Sequence, residues 1–407
     1  MKRLAIAIVI GLFAFTLNAL AISLEPSDVS ILLPLPKTKV ELDAGLSPGT
    51  TGKDGAILPK DVFALLPSLM IRKNPGSPNA LVLASATAYE ALRVVSIRVD
   101  PCFPSLIANF PSVCQSQIRL VLQPFVSVTG EEMLTPADAA IHLFYEIPRS
   151  EFISFIQKIR EIKRLQAFGN SNLNYVLLDV NPFIGSQGLS GPYFQTLKTE
   201  ILKVIGPQNF FRMTFMALRG DGREWEFGQL DKMAGTFQAV AIPNMKGSTV
   251  QQVGGEDQGD ASHAFSMEPE PEADKDSILK FLNLQDIAGR PKVEVEKDLE
   301  ALLRIENPIH HNPTTTDCVS CHLANNLRLK TEKLFAIDTT NNPFRYQASL
   351  FPLAARRDDG GSLKSLRAFG YLQQKVIISQ RTTNESASVA EYINATEGLM
   401  DVDAPSR

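Results

Sequence analysis

Cys318, Cys321 and His322 are the residues whose types and spacing point most clearly to chemistry. They stand in the string CVSCH, with two residues between the cysteines and the histidine directly after the second cysteine. Two thiols at this spacing can reach the two vinyl groups of one haem, while the adjacent imidazole binds the iron from the same side. Asp317 or Thr316 could cap a short helix that holds all three groups. The pattern therefore predicts covalent attachment of one haem c.

The same side chains allow two other kinds of site, and the sequence leaves both open. Cys318 and Cys321 could form a short redox disulfide. Alternatively, His311 could join Cys318, Cys321 and His322 as the four ligands of a zinc ion. Two adjacent residues such as Cys321 and His322 coordinate one ion only awkwardly, so the spacing favours haem over zinc.

A second axial position on a haem iron would need a further ligand, and three residues are candidates. His310 and His311 lie shortly before the motif, and either would give bis-histidine ligation. Met400 follows the motif and would raise the reduction potential. We rank them in the order His311, His310, Met400. With none of them bound, the iron would keep an open position for small ligands or peroxide.

The CVSCH string resembles the attachment site of c-type cytochromes, and the resemblance covers only these residues. It implies thioether bonds to Cys318 and Cys321, iron ligation by His322, and one-electron transfer with a redox partner protein that no motif identifies. Small c-type cytochromes carry the motif close behind an N-terminal helix, whereas here it lies late in a long chain. We therefore do not expect the small single-haem cytochrome fold. The whole chain is similar to large uncharacterised secreted bacterial proteins with a single haem motif.

Two functions from other classes would use the same residues. The first is a haem-dependent peroxidase or oxidoreductase, which needs an open iron site and a nearby acid-base group. The second is a binding or structural protein of the cell envelope, with zinc or a disulfide at the CxxCH string in place of haem. Whether the chain is an enzyme is therefore left open.

The first 21 residues have the pattern of a secretory signal peptide. Lys2 and Arg3 precede an almost wholly apolar run over 4–17, and the small-residue string ALA at 19–21 is a cleavage signal. The apolar run is shorter than the ~20 residues that span a bilayer, and no cysteine follows it for lipid attachment. We expect a periplasmic or secreted protein with no stable membrane span after signal cleavage.

Export also permits disulfides, which predicts a use for the remaining two cysteines. Cys102 and Cys114 bracket a Pro-containing segment between two predicted strands, 91–100 and 117–128, that would bring them together. By chain entropy, a disulfide closing such a loop contributes about 3 kcal/mol. The alternative is a pair of buried free thiols.

Composition excludes one class of partner and suggests the overall organisation. The chain has 407 residues and a net charge of -4, whereas a nucleic-acid binder would show a basic stripe. The elements predict an α+β fold with antiparallel strands and packed helices, including a strand at 139–147, a helix from Ser150 and a hairpin over 209–230. The predicted segments are a signal peptide (1–21), an extended Pro/Gly-rich leader (22–60), an α+β domain (61–245), an acidic flexible linker (246–277) and a C-terminal region with the haem motif (278–407).

Overall fold

The computed structural model shows a chain of mixed α+β class, as predicted, with helices packed on both sides of an antiparallel sheet. It is larger than a small c-type cytochrome. Among the residues that it describes, no helix is both long and apolar enough to cross a membrane. The structure describes residues 22–66, 83, 87–103, 114–127, 134–167, 178–218, 224–255, 265–272, 276–351, 353 and 366–396.

Ten strands form the main sheet, and every pair in it is antiparallel. Their order is β1-β2-β3-β5-β6-β7-β9-β10, with β4 paired to β3 and β8 paired to β7. A separate hairpin consists of β11 (Phe369–Leu372) and β12 (Lys375–Ile378). The ten strands are β1 (Ser30–Leu32), β2 (Leu92–Phe103), β3 (Gln115–Ser127), β4 (Leu134–Pro136), β5 (Ala139–Glu146), β6 (Phe210–Leu218), β7 (Glu224–Met233), β8 (Thr236–Ala239), β9 (Val250–Gly255) and β10 (Phe265–Glu268).

The helices of the described residues range from single turns to elements of five turns. A 3₁₀ turn over Leu279–Phe281 precedes the C-terminal group. The α-helices are α1 (Pro26–Val29), α2 (Lys39–Ala44), α3 (Lys60–Phe63), α4 (Ala88–Ala91), α5 (Arg149–Ala167), α6 (Pro182–Gln187), α7 (Pro192–Leu202), α8 (Leu284–Ala288), α9 (Lys292–Glu306), α10 (Cys318–Phe335) and α11 (Gln380–Ala395).

The sheet has two different sides because alternate residues of a strand point in opposite directions. On the side we call the first side, Ile97, Leu120 and Ile141 pack against apolar residues of α5 and α7. On the opposite side, the second side, Val121 and Phe227 pack with α8, α9, α10 and the β11–β12 hairpin. The CVSCH string belongs to α10, so the second side of the sheet is the one that faces the motif.

The strands and helices with clear periodicity were predicted correctly. The segments 91–100, 117–128 and 139–147 are strands β2, β3 and β5, and the hairpin over 209–230 is β6 and β7. The helix expected from Ser150 is α5. The predicted pairing of β2 with β3 also joins Cys102 to Cys114 as a disulfide, with Cα atoms 4.6 Å apart.

The interpretation of residues 22–60 as an extended leader was wrong. Strand β1 pairs with β2, and Ile31, Leu46 and Ile57 are fully buried in the core of the first side. The hydroxyl of Tyr145 donates to the carbonyl of Ile57 at 2.6 Å. The prolines and glycines of this segment separate short elements, and the apolar residues between them have enough surface to pack.

The interpretation of residues 246–277 as a flexible linker was also wrong for the part that the structure describes. Strand β9 pairs with β7, β10 pairs with β9, and both Val253 and Met267 are buried on the second side. The C-terminal region is likewise packed on the sheet, since the side chain of Gln123 exchanges two hydrogen bonds with the backbone of Tyr371. The acidic composition of the segment concealed the alternation of these two strands.

Candidate haem site

The CVSCH string forms the first turn of α10, and its position is fixed by a hydrogen-bonded cap. The Asp317 carboxylate accepts from the backbone N–H of Ser320 at 2.9 Å, as an N-cap does. The amide of Gln251, on β9, donates to the same carboxylate at 2.7 Å and accepts from the N–H of Val319 at 3.0 Å. Of the two predicted caps, Asp317 and Thr316, the structure shows Asp317, which also ties the motif to the sheet. The helix itself has 18 residues and is longer than the short helix we predicted.

Burial of one apolar face holds α10 in place behind the motif. Val319, Leu323 and Leu327 recur at intervals of four residues and are fully buried on the second side of the sheet. Full burial of a leucine-sized side chain stabilises a fold by about 1.5–3 kcal/mol. This face therefore gives the cysteines and the histidine a rigid support.

His322 has the hydrogen bond that an iron-binding imidazole needs. Its Nδ1 lies 2.5 Å from the carbonyl oxygen of Leu366, and its ring centroid lies 5.2 Å from that of Phe227. A carbonyl can only accept, so Nδ1 carries the proton and Nε2 keeps its lone pair. Burial lowers the pKa of His322, although the bond to Leu366 opposes this shift in part. The neutral tautomer with a free Nε2 is the form that binds a metal.

The two cysteines of the motif are free thiols and are partly buried. Burial raises the pKa of both, and the Asp317 carboxylate raises the pKa of Cys318 further. A redox disulfide depends on a stabilised thiolate, which requires the opposite shift. This environment therefore does not favour a redox disulfide between Cys318 and Cys321.

The four residues considered for zinc are not gathered as one site. Within the described ranges, no group of three or more His, Cys, Asp or Glu side chains could hold a metal ion. His311 is directed elsewhere: its Nε2 lies 2.9 Å from the carboxylate of Asp276, and its Nδ1 lies 3.3 Å from the hydroxyl of Thr315. A zinc site with His311 would require at least one of these two contacts to be given up.

The candidates for the second axial ligand are placed very differently from one another. Both ring nitrogens of His311 have the partners just described. His310 is exposed, and its ring centroid lies 5.8 Å from that of Phe344. Met400 lies outside the described residues. The structure thus shows no free imidazole nitrogen at His311, the candidate that we ranked first.

His142 lies on the same side of the sheet as the motif, although we assigned it no role from the sequence. It is on β5 between Ala140 and Phe144, which also point to the second side. Burial, with smaller contributions from His322, Arg119 and Arg98, lowers the pKa of His142 to about 3. The alternation of β5 could have shown which side His142 occupies, but only the fold shows that α10 covers that side.

Charged residues surround the motif on the side of Cys321. Arg381 and Arg98 both bind the carboxylate of Glu385, at 2.8 and 2.9 Å, and Arg119 binds Asp100 at 3.0 Å. The charges of Arg381, Glu385 and Arg98 act on the Cys321 thiol. The Nε of Arg119 is buried without a hydrogen-bond partner among the described residues. A buried guanidinium with an unused donor is a candidate partner for an acidic group.

A cavity of about 280 Å³ opens beside these charges. Asp100, Arg119, His311, Arg381 and Glu385 are among the residues that line it, whereas the residues of the motif are not. The cavity therefore shares charged residues with the surroundings of Cys321 without containing the motif itself.

The residues present fit a covalently attached haem by the chemistry of their donors. Two free thiols lie on one helical turn, and the neighbouring imidazole has Nδ1 bonded and Nε2 available. The buried apolar groups Phe227 and Leu323 lie beside them, and Arg119 offers a donor for a carboxylate. These are the groups that would hold a haem through thioethers, an axial nitrogen and a propionate contact.

In comparisons with known protein families, curated proteins and solved structures, this chain matches none of them. No fold relative or sequence relative therefore supplies an activity. The assignment of a function rests on the side chains of the site and on their chemistry.

Proposed function

We propose that this chain is an exported c-type haem protein that carries one electron at a time. The observation that carries the proposal is the hydrogen bond from Nδ1 of His322 to Leu366, directly after two free thiols at the CxxC spacing. A cap and a packed helix hold these three groups on one turn. A covalently bound haem would supply an iron that alternates between the ferrous and ferric states.

In this proposal each residue of the site has a separate task. Cys318 and Cys321 would hold the haem by thioether bonds, and Nε2 of His322 would bind the iron. The Leu366 carbonyl keeps the His322 ring in one orientation and would raise its basicity as a ligand. Arg119 would donate to a propionate. The residues of the second side that pack with α10 limit access of water, and so set the potential through burial.

The first test is the pyridine haemochrome spectrum of the full chain, expressed in a periplasm with haem c maturation machinery. We expect a haem c spectrum from the wild type and its complete loss from the double variant Cys318→Ala, Cys321→Ala. Ser320→Ala is the matched control, because this residue lies inside the motif but would not bind haem. Colourless wild-type protein, despite active maturation, would contradict the proposal. Zinc binding or a disulfide would then remain as the function of the two cysteines.

Electron transfer is tested separately from attachment. A carrier should show one reversible one-electron wave in protein-film voltammetry, with a low-spin spectrum in both oxidation states. Rapid turnover of peroxide by a high-spin haem would instead favour a peroxidase.

Export is tested by N-terminal sequencing of the mature protein. The first residue found should be Ile22, since we expect signal cleavage after Ala21.

A further inference from the structure

The second side of the sheet places a second imidazole in the region of the motif. His142 lies in a cross-strand row with Val121 on β3 and Thr214 on β6. The neighbouring row contains Ala140 and Phe227, and Phe227 contacts the ring of His322. Adjacent rows on one side of a sheet are separated by two residues, about 7 Å along the strands. His142 is also near enough to His322 for a proton on one ring to disfavour a proton on the other.

Within the part of the chain that the structure describes, neither ring nitrogen of His142 has a hydrogen-bond partner. The residue lies between Val121 on β3 and Thr214 on β6, and two cations, Arg98 and Arg119, act on its ring. Nearby positive charges favour the neutral imidazole, which is the form that donates a lone pair to a metal.

Neither of the two upstream histidines, His310 and His311, combines unengaged ring nitrogens with a position on the second side of the sheet. His311 has both ring nitrogens within hydrogen-bond distance of other side chains, and its partner Asp276 is also bound by Arg304 at 2.6 Å. His310 is exposed and lies against Phe344, which in turn lies under the guanidinium of Arg304. Each belongs to a local cluster that the chain builds around residues 304–315 and not to the sheet surface beneath α10.

We infer that His142 would bind the haem iron as the second protein ligand, together with His322. This inference rests on the haem function proposed above, because it assigns a role toward a group that only that function requires. It makes the site bis-histidine, as we expected from the sequence, but with a ligand from the sheet in place of His310 or His311. A ligand on a central strand is held more rigidly than one in a loop, which suits an iron that changes only its oxidation state.

The test compares His142→Ala with His311→Ala and His310→Ala, all as full chains matured in the periplasm. Mass spectrometry of the denatured protein reports covalent haem, and the visible and EPR spectra of the native protein report spin state. We expect all three variants to retain haem. Only His142→Ala should change from low spin to high spin, and added imidazole should restore its low-spin spectrum.

The outcomes separate this inference from the proposed function. A wild type without covalent haem would overturn both. A wild type with haem, together with a low-spin His142→Ala variant or a high-spin wild type, would overturn the role of His142 alone. If His142→Ala does not fold, His142→Met replaces it, since a thioether ligand keeps the haem low spin and raises its potential. An unchanged potential in that variant would again overturn the inference.

Discussion

The two sides of the main sheet have different compositions, although the same strands build both. The first side carries Ile97, Leu120, Ile141 and Met213, and its core is formed by aliphatic and aromatic residues. The second side carries charged and polar groups in adjacent rows of the same strands. These are Ser96, Arg98, Asp100, Gln117, Arg119, His142, Arg212, Thr214, Gln229 and Asp231.

The first side thus offers stability alone, whereas the second side combines an apolar core with polar groups that can do chemistry. Burying a polar group costs free energy unless the group forms hydrogen bonds, whereas burying an apolar residue carries no such cost. Gln117 remains buried without a side-chain partner among the described residues, as does Nε of Arg119. A fold that retains such groups on the same side of the sheet as the CVSCH motif is expected to use them.

The largest effect should come from the first side. Phe194, on α7, is fully buried in its core. Phe194→Ala should lower the free energy of unfolding by about 3–5 kcal/mol, because the lost contacts leave a cavity. Urea titration measures this, and the haem spectrum of the folded variant should not change.

The matched substitution on the second side is Thr214→Val. Thr214 is half-buried in the row of His142, and valine has nearly its shape. We expect a change in unfolding free energy within about 0.5 kcal/mol. Comparable losses from Phe194→Ala and Thr214→Val would show that the polar row of His142 contributes as much to stability as the core of the first side.

The elements of the sheet could be predicted where the pattern is local. Strands β2, β3 and β5 alternate clearly, and the hairpin of β6 and β7 does so as well. Strand β1 has only three residues, and its partner β2 lies far along the chain, so the packing of residues 22–60 follows from tertiary contacts alone. For β9, acidic neighbours outweighed a short alternation.

The features of the candidate site also divide into those that local sequence predicts and those that depend on distant segments of the chain. The CVSCH string and the cap at Asp317 are local, and both could be predicted from spacing. The hydrogen bond of His322 to Leu366 and the position of His142 depend on segments that are distant in sequence. No pattern within β5 reveals that α10 covers its second side. The ranking of His311 and His310 used proximity in sequence, and for His311 the local contacts to Asp276 and Thr315 compete with that role.

A smaller effect, dependent on pH, is expected on the second side from Glu385. Burial alone would raise the pKa of Glu385, but Arg381, Arg98 and Arg119 outweigh it and lower the pKa to about 2. Because the folded-state value lies below the unfolded one, the stabilisation is complete above about pH 5 and is lost as the pH falls toward 2. Glu385→Gln should cost about 2–3 kcal/mol at pH 7 and almost nothing at pH 2.

Urea titrations of both proteins between pH 2 and pH 7 measure this difference. Glu146→Gln, at the exposed end of β5, is the control and should show no such window. A constant difference between wild type and Glu385→Gln over this range would mean that the arginines do not stabilise the ionised carboxylate.

The smallest effect has the opposite sign and belongs to the first side, where α1 meets α5. Burial raises the pKa of Glu25 to about 7, with the charge of Asp28 adding to it and Lys163 opposing it. A raised folded-state value means that the contribution of Glu25 is favourable below about pH 4.5 and is lost as the pH rises through 7. Glu25→Gln keeps an acceptor for the helix cap, and should stabilise the protein by about 1 kcal/mol at pH 8, since partial exposure screens the effect.

The stability difference between Glu25→Gln and wild type, measured against pH, therefore decides whether the two sides stabilise different protonation states of a buried carboxylate. Its difference from wild type should be near zero at pH 4 and should grow between pH 5 and pH 8, where that of Glu385→Gln stays constant. The exposed Glu296→Gln on α9 serves as the control. A Glu25→Gln variant that is less stable than wild type at pH 8 would show that Lys163 stabilises an ionised Glu25. Both sides would then stabilise buried carboxylates through paired cations. The contrast between the two sides would in that case concern their apolar content alone.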